Sequence, residues 1–195
     1  MSPKVRKALI KTPVWLVCLL PLATLLYRFR TNDLTANPIE FITHETGEWT
    51  LRLLLASLLI TPLRRLGYPS LIQFRRLLGL FAFFYGCLHF TTWAWLDHQL
   101  AFQEMWADIL KRRFVTAGML ALLLMVPLAV TSTKGWIRRL GKNWQKLHRL
   151  AYLSALAGVV HYYWLVKSDI RLPALYGAIF LVLMGARLWH QYRSA

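Results

Sequence analysis

The sequence predicts an all-α fold: a polytopic membrane helical bundle with six transmembrane helices and both termini in the cytoplasm. Hydrophobic residues make up 57% of the 195 residues and the mean hydropathy is +0.42, which is too apolar for an ordinary soluble domain of this length. The apolar residues are grouped into blocks that approach the roughly 20 residues needed to cross a bilayer. The net charge of +16 lies mainly between these blocks, where it orients a membrane protein and does not indicate nucleic-acid binding.

Six apolar blocks follow one another, and each is interpreted as one transmembrane helix. No small-residue cleavage site follows the first block, so we expect it to be retained as a span. The first two blocks are short and need flanking residues to complete their length. No internal repeat or long linker divides the chain, which predicts a single domain over residues 1–195 without a soluble catalytic domain. The blocks cover residues 13–27, 49–63, 77–96, 114–130, 147–166 and 173–189.

The basic residues between the blocks predict the orientation. Both tails, with the second and fourth connections, carry 16 Lys and Arg residues, whereas the first, third and fifth connections carry 7. Because positive residues concentrate on the cytoplasmic side, this asymmetry places both termini in the cytoplasm. Arg187 and Arg193 are counted here with the C-terminal tail. The basic cluster at 111–113 opposes this orientation, because it lies on the side predicted to be periplasmic.

Two histidines lie deep in apolar blocks. His89 comes twelve residues after Leu77, and His161 comes fourteen residues after Leu147 in a block that runs in the same direction. At about 1.5 Å of rise per residue, their depths differ by roughly 3 Å. Two imidazoles at one level on parallel helices can bind a haem iron from both faces. The alternatives are hydrogen bonding to a neighbouring helix and proton carriage in a transporter, but polar residues in spans are costly and usually functional.

The remaining polar residues of the blocks are weaker candidates. His148 lies at the mouth of the fifth block, about 20 Å nearer the cytoplasm than the deep pair. His44 has acidic neighbours that could bind a metal, although a solvated turn is the preferred interpretation. His98 and His190 are interpreted as interfacial. Arg52, near the outer end of the second block, could pair with a haem propionate or reach the headgroups.

Several short motifs carry a resemblance to a known family. They are ITPLRR (60–65), RRLLGL (75–80) leading to LH (88–89), VTST (130–133), and LGKNWQKLHRLAYL (140–153) leading to HYYW (161–164). Together they closely resemble the MsrQ (YedZ) family, the haem-binding membrane subunits of bacterial periplasmic methionine sulfoxide reductase systems. The wider superfamily is the ferric reductase-like transmembrane domain, which NADPH oxidases and iron reductases share. The resemblance covers nearly the whole chain.

The resemblance implies a b-type cytochrome in the bacterial inner membrane. Such a subunit passes electrons from the quinone pool or a cytoplasmic flavin reductase, through haem b, to a periplasmic molybdopterin subunit (MsrP-like) that reduces methionine sulfoxide in damaged proteins. The chain would then be an electron-transfer subunit without catalytic residues of its own. His89 and His161 match the ligands of the outer haem, and His148 matches a ligand of an inner site. The resemblance also implies FMN binding.

The inner site departs from the larger oxidases, which carry a second histidine on the third span where this chain has Arg75. This site is expected to hold a haem with His148 as its one protein ligand, a flavin, or a quinone. A flavin phosphate would meet Arg75, Arg76 or Arg149. No GxGxxG motif is present, so the reductant must come from another protein or from the membrane. The functional alternatives are a haem-bearing ferric or quinone-linked reductase with another outer acceptor, and a non-redox transporter.

Overall fold

The computed structural model describes residues 3–193, and every regular element in that part of the chain is helical. The helices are α1 (Pro3–Arg30), α2 (Pro38–Arg65), α3 (Ile72–Thr91), α4 (Phe102–Lys111), α5 (Arg113–Val130), α6 (Lys134–Leu140), α7 (Lys142–Leu147), α8 (Leu150–Leu165) and α9 (Arg171–Arg193). Helix lies in each of the six predicted blocks, which confirms the all-α fold. Three counted basic side chains of the N-terminal tail, Lys4, Arg6 and Lys7, lie outside the described side chains.

Four helical segments among the described residues are long and apolar enough to cross a membrane. They are Leu9–Arg30 in α1, Pro69–Asp97 around α3, Arg113–Val130 and Arg171–Arg193. α8 falls short because its 16 residues give about 24 Å of helix, against a hydrocarbon core of about 30 Å. α2 is long, but its N-terminal half carries several charged residues. The number of six spans, and the side on which the termini lie, therefore stay predictions.

Two helix pairs form the centre of the bundle. α2 packs along α3, and α5 packs along α8, while α9 contacts α2 and α8. Buried leucines of α2 meet aromatic residues of α3 and α9 in the core, which includes Leu51, Leu54, Leu58, Phe81, Tyr85, Tyr176 and Phe180. Each deep histidine therefore lies on a helix that has an extensive partner helix of its own.

Tyr85 of α3 attaches α1 to the bundle. Its hydroxyl, almost fully buried, donates to the carbonyl of Cys18 at 2.8 Å and accepts the N–H of Leu22 at 3.1 Å. These two backbone groups are four residues apart and would bond each other in a regular α-helix. Pro21 lies in the same turn and disturbs the regular ladder there. The tyrosine hydroxyl therefore fixes the register of α1 against α3.

The connection between the third and fifth helices is structured. α3 continues as a π-helix over Thr92–Asp97, and α4 follows after a short turn. α4 was not among the predicted helices, because its ten residues mix apolar and charged side chains. His98, interpreted as interfacial, lies 3.3 Å from the carboxylate of Asp108, which also pairs with Arg112 at 2.7 Å.

The charge count placed Arg187 in the C-terminal tail, but the structure places it elsewhere. It lies within α9, is 7% exposed, and donates to the carbonyls of Leu183, at 2.9 Å, and of Leu58 in α2. Its guanidinium lies 5.1 Å from the ring centroid of Tyr152. The carbonyl of Leu58 needs this donor because Pro62, four residues later, has no N–H to offer it.

Candidate cofactor site

A cavity of about 480 Å³ lies between α2, α3, α5 and α8. This volume falls within the roughly 300–1,000 Å³ that is typical of cofactor and ligand pockets. The cavity extends to the helix ends near Asn37 and Asp97. Most of its lining is apolar, and the lining includes Thr43, Gly47, Glu48, His89, Gly118 and His161.

His89 and His161 face each other across this cavity. Their ring centroids are 5.9 Å apart and their planes make an angle of 78°. The sequence places them at matched depth on parallel helices, and the structure brings them together. The two rings come from different helix pairs, so the cavity joins the α2–α3 pair to the α5–α8 pair.

A backbone carbonyl of the partner helix holds each imidazole. Nδ1 of His89 lies 2.9 Å from the carbonyl oxygen of Thr43 in α2, and Nδ1 of His161 lies 2.6 Å from that of Phe114 in α5. Because a carbonyl can only accept, each Nδ1 carries the proton and donates it. Each Nε2 then keeps its lone pair, which is the arrangement that metal-binding histidines use.

A glycine stands against each ring. A Cβ on Gly47 would lie 3.0 Å from the His89 ring, and a Cβ on Gly118 would lie 2.8 Å from Nδ1 of His161. Each glycine follows the carbonyl-bearing residue by four positions, one helical turn further along the same face. Glycine therefore allows the imidazole to approach the partner helix closely enough to donate to its carbonyl. Sequence analysis missed both glycines, since their effect depends on which helices pack together.

The two imidazoles are spaced to bind one metal between them. A metal–imidazole bond is about 2 Å long and the ring centre lies about 1 Å further, so two rings that share a metal have centroids roughly 6 Å apart. The observed distance is 5.9 Å. Two neutral nitrogen donors in a mostly apolar cavity suit haem iron. The residues present therefore fit the group that the resemblance implies.

A polar network lies beside the cavity. The carboxylate of Glu48 accepts the hydroxyl of Tyr162 at 3.0 Å and pairs with the guanidinium of Arg52. Nε of Arg52 donates to the hydroxyl of Tyr176 at 2.8 Å, and the guanidinium lies 5.1 Å from the Trp49 ring centroid. Arg52 is thus engaged within the protein by partners that sequence analysis did not identify. The network ties α2 to α8 and α9.

His44 and its acidic neighbours do not form a metal site. Nε2 of His44 lies 3.9 Å from the carboxylate of Glu40, and both side chains are substantially exposed. Among the described residues, no group of three or more His, Cys, Asp or Glu side chains could hold a metal ion. His44 lies within α2 and lines the cavity, so the predicted solvated turn is wrong, although the side chain is substantially exposed.

His148 is not among the residues that line the cavity, and lies between α7 and α8. Its ring stacks on Trp144 at 3.9 Å, and its Nδ1 lies 3.1 Å from the carbonyl of Trp144. Nε2 is buried without a hydrogen-bond partner in the described part of the chain. Arg75 is close enough for its charge to act on the imidazole, while Arg76 and Arg149 are exposed.

Comparison with known protein families gives a match over more than half of the chain. Residues 46–159 match the family described as "Ferric reductase like transmembrane component". The matched segment contains His89 and His148 and ends two residues before His161. No solved structure matches the chain.

Individual proteins are similar to this chain over nearly its whole length. The protein-methionine-sulfoxide reductase heme-binding subunit MsrQ of Caulobacter vibrioides is 50% identical over 194 residues, which cover 98% of this chain and 92% of the relative. The subunit of the same name from Herminiimonas arsenicoxydans is 50% identical, covering 95% and 87%. That of Ralstonia nicotianae is 46% identical, covering 100% and 91%. This chain therefore belongs to the MsrQ family, within the ferric reductase-like transmembrane components.

Proposed function

We propose that this protein is a membrane cytochrome of the b type. It carries electrons from the cytoplasmic side of the bacterial inner membrane to a periplasmic molybdopterin subunit that reduces methionine sulfoxide in oxidised proteins. The observation that carries the proposal is the facing pair of His89 and His161 in an apolar cavity of cofactor size. Support comes from relatives that are named as heme-binding subunits of protein-methionine-sulfoxide reductases.

The histidine pair would hold haem b by its two Nε2 atoms. When bound, haem supplies a one-electron carrier whose iron changes oxidation state without a change of ligands. The carbonyls of Thr43 and Phe114 keep each ring in the tautomer that leaves Nε2 free to bind. The apolar lining excludes water from the site. No side chain here needs to perform acid–base or nucleophilic chemistry, so the chain is an electron-transfer subunit.

A second, inner site would receive the electrons. His148 lies thirteen residues before His161, which is about 20 Å along a helix. The unpartnered Nε2 of His148 and the nearby charge of Arg75 favour a ligand there. That ligand is a haem, FMN or a quinone, and the exposed Arg76 and Arg149 would meet a flavin phosphate or a headgroup. The donor is the quinone pool or a cytoplasmic flavin reductase.

Electron transfer from the cytoplasm to the periplasm fits a topology with six spans and cytoplasmic termini. α2 has 28 residues, about 42 Å of helix, which is ample for a bilayer. α8 is short, and snorkelling residues or local thinning of the bilayer would compensate. The basic asymmetry supports the orientation.

Electron transfer in proteoliposomes tests the proposal. The purified chain is reduced with a quinol, and the reoxidation of its haem absorbance is followed after adding a molybdopterin methionine sulfoxide reductase with an oxidised protein. We expect reoxidation only when both are present. Equally fast reoxidation by a ferric chelate alone would favour a ferric reductase, and an absence of any haem absorbance would contradict the cytochrome.

A further inference from the structure

α4 presents an apolar stripe that nothing else in the described chain covers. Phe102, Trp106 and Leu110 follow one another at four-residue spacing, so they share one face of the helix. Their exposed fractions are 77%, 63% and 68%. Met105 and Asp108 are buried and face the bundle. Exposed Glu104 and Lys111 occupy the opposite face, and Gln103 lies at the border between the two.

The chain confines α4 to the membrane surface. It lies between two segments that are long and apolar enough to span, one ending at Asp97 and the next beginning at Arg113. Four residues separate Asp97 from α4, and one residue separates α4 from α5. At about 3.5 Å per extended residue, α4 begins within about 18 Å of the first span's end and is almost continuous with the second.

Two features fix α4 in place on that surface. Gln99 and Leu100 adopt left-handed φ angles of 50° and 61°, which are strained for residues other than glycine. This strained turn reverses the chain out of α3. At the other end, the buried carboxylate of Asp108 binds His98 and Arg112. α4 is therefore an oriented element and not a loose loop.

We propose that α4 is an interfacial helix whose apolar stripe binds the lipid surface at the boundary between headgroups and acyl chains. Helices with one apolar and one polar face lie in the membrane plane in this way, and Trp106 is a residue type that favours that depth. The exposed Lys111 and Arg113 follow directly, and headgroup phosphates are attractive partners for their side chains. A soluble protein approaching from water would meet the polar face instead. This inference does not depend on the cofactor.

A spin label tests the proposal in the full-length protein, reconstituted at one copy per lipid nanodisc. The label is attached in turn at Trp106→Cys and Phe102→Cys on the stripe, with Glu104→Cys as the matched control on the opposite, polar face. The background carries Cys18→Ala and Cys87→Ala. We expect the ratio of oxygen to water-soluble nickel-chelate accessibility to be several-fold higher at 106 and 102 than at 104, because oxygen concentrates among acyl chains.

Two results would overturn it. Nickel accessibility at 106 and 102 equal to that at 104 would place the stripe in water, free for a soluble protein partner. Labels that neither reagent reaches would show that protein covers the stripe. If Trp106→Cys does not fold, the comparison of 102 with 104 decides the question alone.

Discussion

Gly118 lies so close to His161 that a Cβ added to it would be 2.8 Å from Nδ1 of the imidazole. Gly47 stands in the same relation to His89, with a Cβ distance of 3.0 Å. The two halves of the site thus share one arrangement. In each half, a glycine of the partner helix leaves room for the imidazole to approach and donate to a backbone carbonyl of that helix. The orientation of both candidate ligands depends on these contacts.

Gly118→Ala and Gly47→Ala should each disturb haem binding. The added methyl group would push the imidazole away from its carbonyl, and such overpacking typically costs about 1–3 kcal/mol. We expect less haem per protein, measured as pyridine haemochrome. We also expect a changed low-spin EPR signal, because that signal depends on the angle between the two imidazole planes, 78° here.

Gly79→Ala is the matched control for these variants. A Cβ at Gly79 of α3 would meet nothing within 4 Å, and Ala is favoured over Gly in a helix by about 1 kcal/mol. Haem content and EPR signal should be retained. Unaltered spectra in both Gly118→Ala and Gly47→Ala would contradict the positioning role.

His89→Ala and His161→Ala should each remove most of the b-type absorption spectrum, because binding from both faces needs both rings. The measurement is the Soret absorbance per protein after purification. His190→Ala, at the exposed end of α9, should leave the spectrum unchanged. Full haem occupancy in both deep-histidine variants would reject the assignment.

His148→Ala should leave the outer haem bound but slow its reduction from the cytoplasmic side several-fold. The physical reason is that an inner carrier must bridge about 20 Å of depth to the outer site. Stopped-flow reduction by a quinol, or by a flavin reductase with its flavin, measures the effect. Dithionite, which needs no relay, should reduce the variant as fast as the wild type. Equal rates with the physiological donors would mean that His148 has no relay function.

The orientation can be tested with reporters. A reporter fused after Ala195, which lies outside the described residues, should be active only if it functions in the cytoplasm. One inserted at Gln103, an exposed position of α4, should report the periplasm. The expectation rests on the asymmetry of basic residues. The opposite result at both positions would reverse the proposed direction of electron flow.

Arg187→Met should destabilise the bundle by about 1–3 kcal/mol, because it leaves the carbonyl of Leu58 buried without a donor. Thermal unfolding in detergent measures the change. In a Pro62→Ala background residue 62 regains its N–H and can bond that carbonyl within α2. The same Arg187→Met change should then cost less, and equal costs in the two backgrounds would contradict the argument.

Helix positions and the histidine pair were accessible from sequence because both follow from local rules. An apolar block predicts a helix wherever it lies, and the fixed rise per residue gives the depth of His89 and His161 before any packing is known. Family membership was also predicted correctly, from motifs around these residues. The number of spans was not settled in this way, because the short α8 and the charged α2 fall outside the simple length and hydropathy rules.

The remaining features depend on contacts between distant segments. Gly47 makes room for the His89 ring only because α2 packs against the helix that bears His89. No local sequence pattern predicts that helix pairing. Arg187 was counted with a cytoplasmic tail because a charged residue near the end of a block usually snorkels. Its true partner is the carbonyl of Leu58, 129 residues earlier in the chain, which Pro62 leaves without a helical donor. α4 was missed because ten residues of mixed polarity do not predict a helix until the positions of both neighbouring spans are known.

Each deep histidine finds all of its positioning contacts within its own helix pair. The partner helix supplies both the carbonyl that accepts from Nδ1 and the glycine that lies against the ring. The α2–α3 pair is finished after residue 91, whereas the second pair needs α8, which ends at Leu165. During synthesis the first half of the site can therefore be ready before the second half has left the ribosome. A cofactor bound by both rings would act as a cross-link, closing the two halves of the bundle onto each other as the last step of assembly. Without the cofactor the two helix pairs would still be joined by the bond from Tyr162 to Glu48 and by α9, but they would lose this central link.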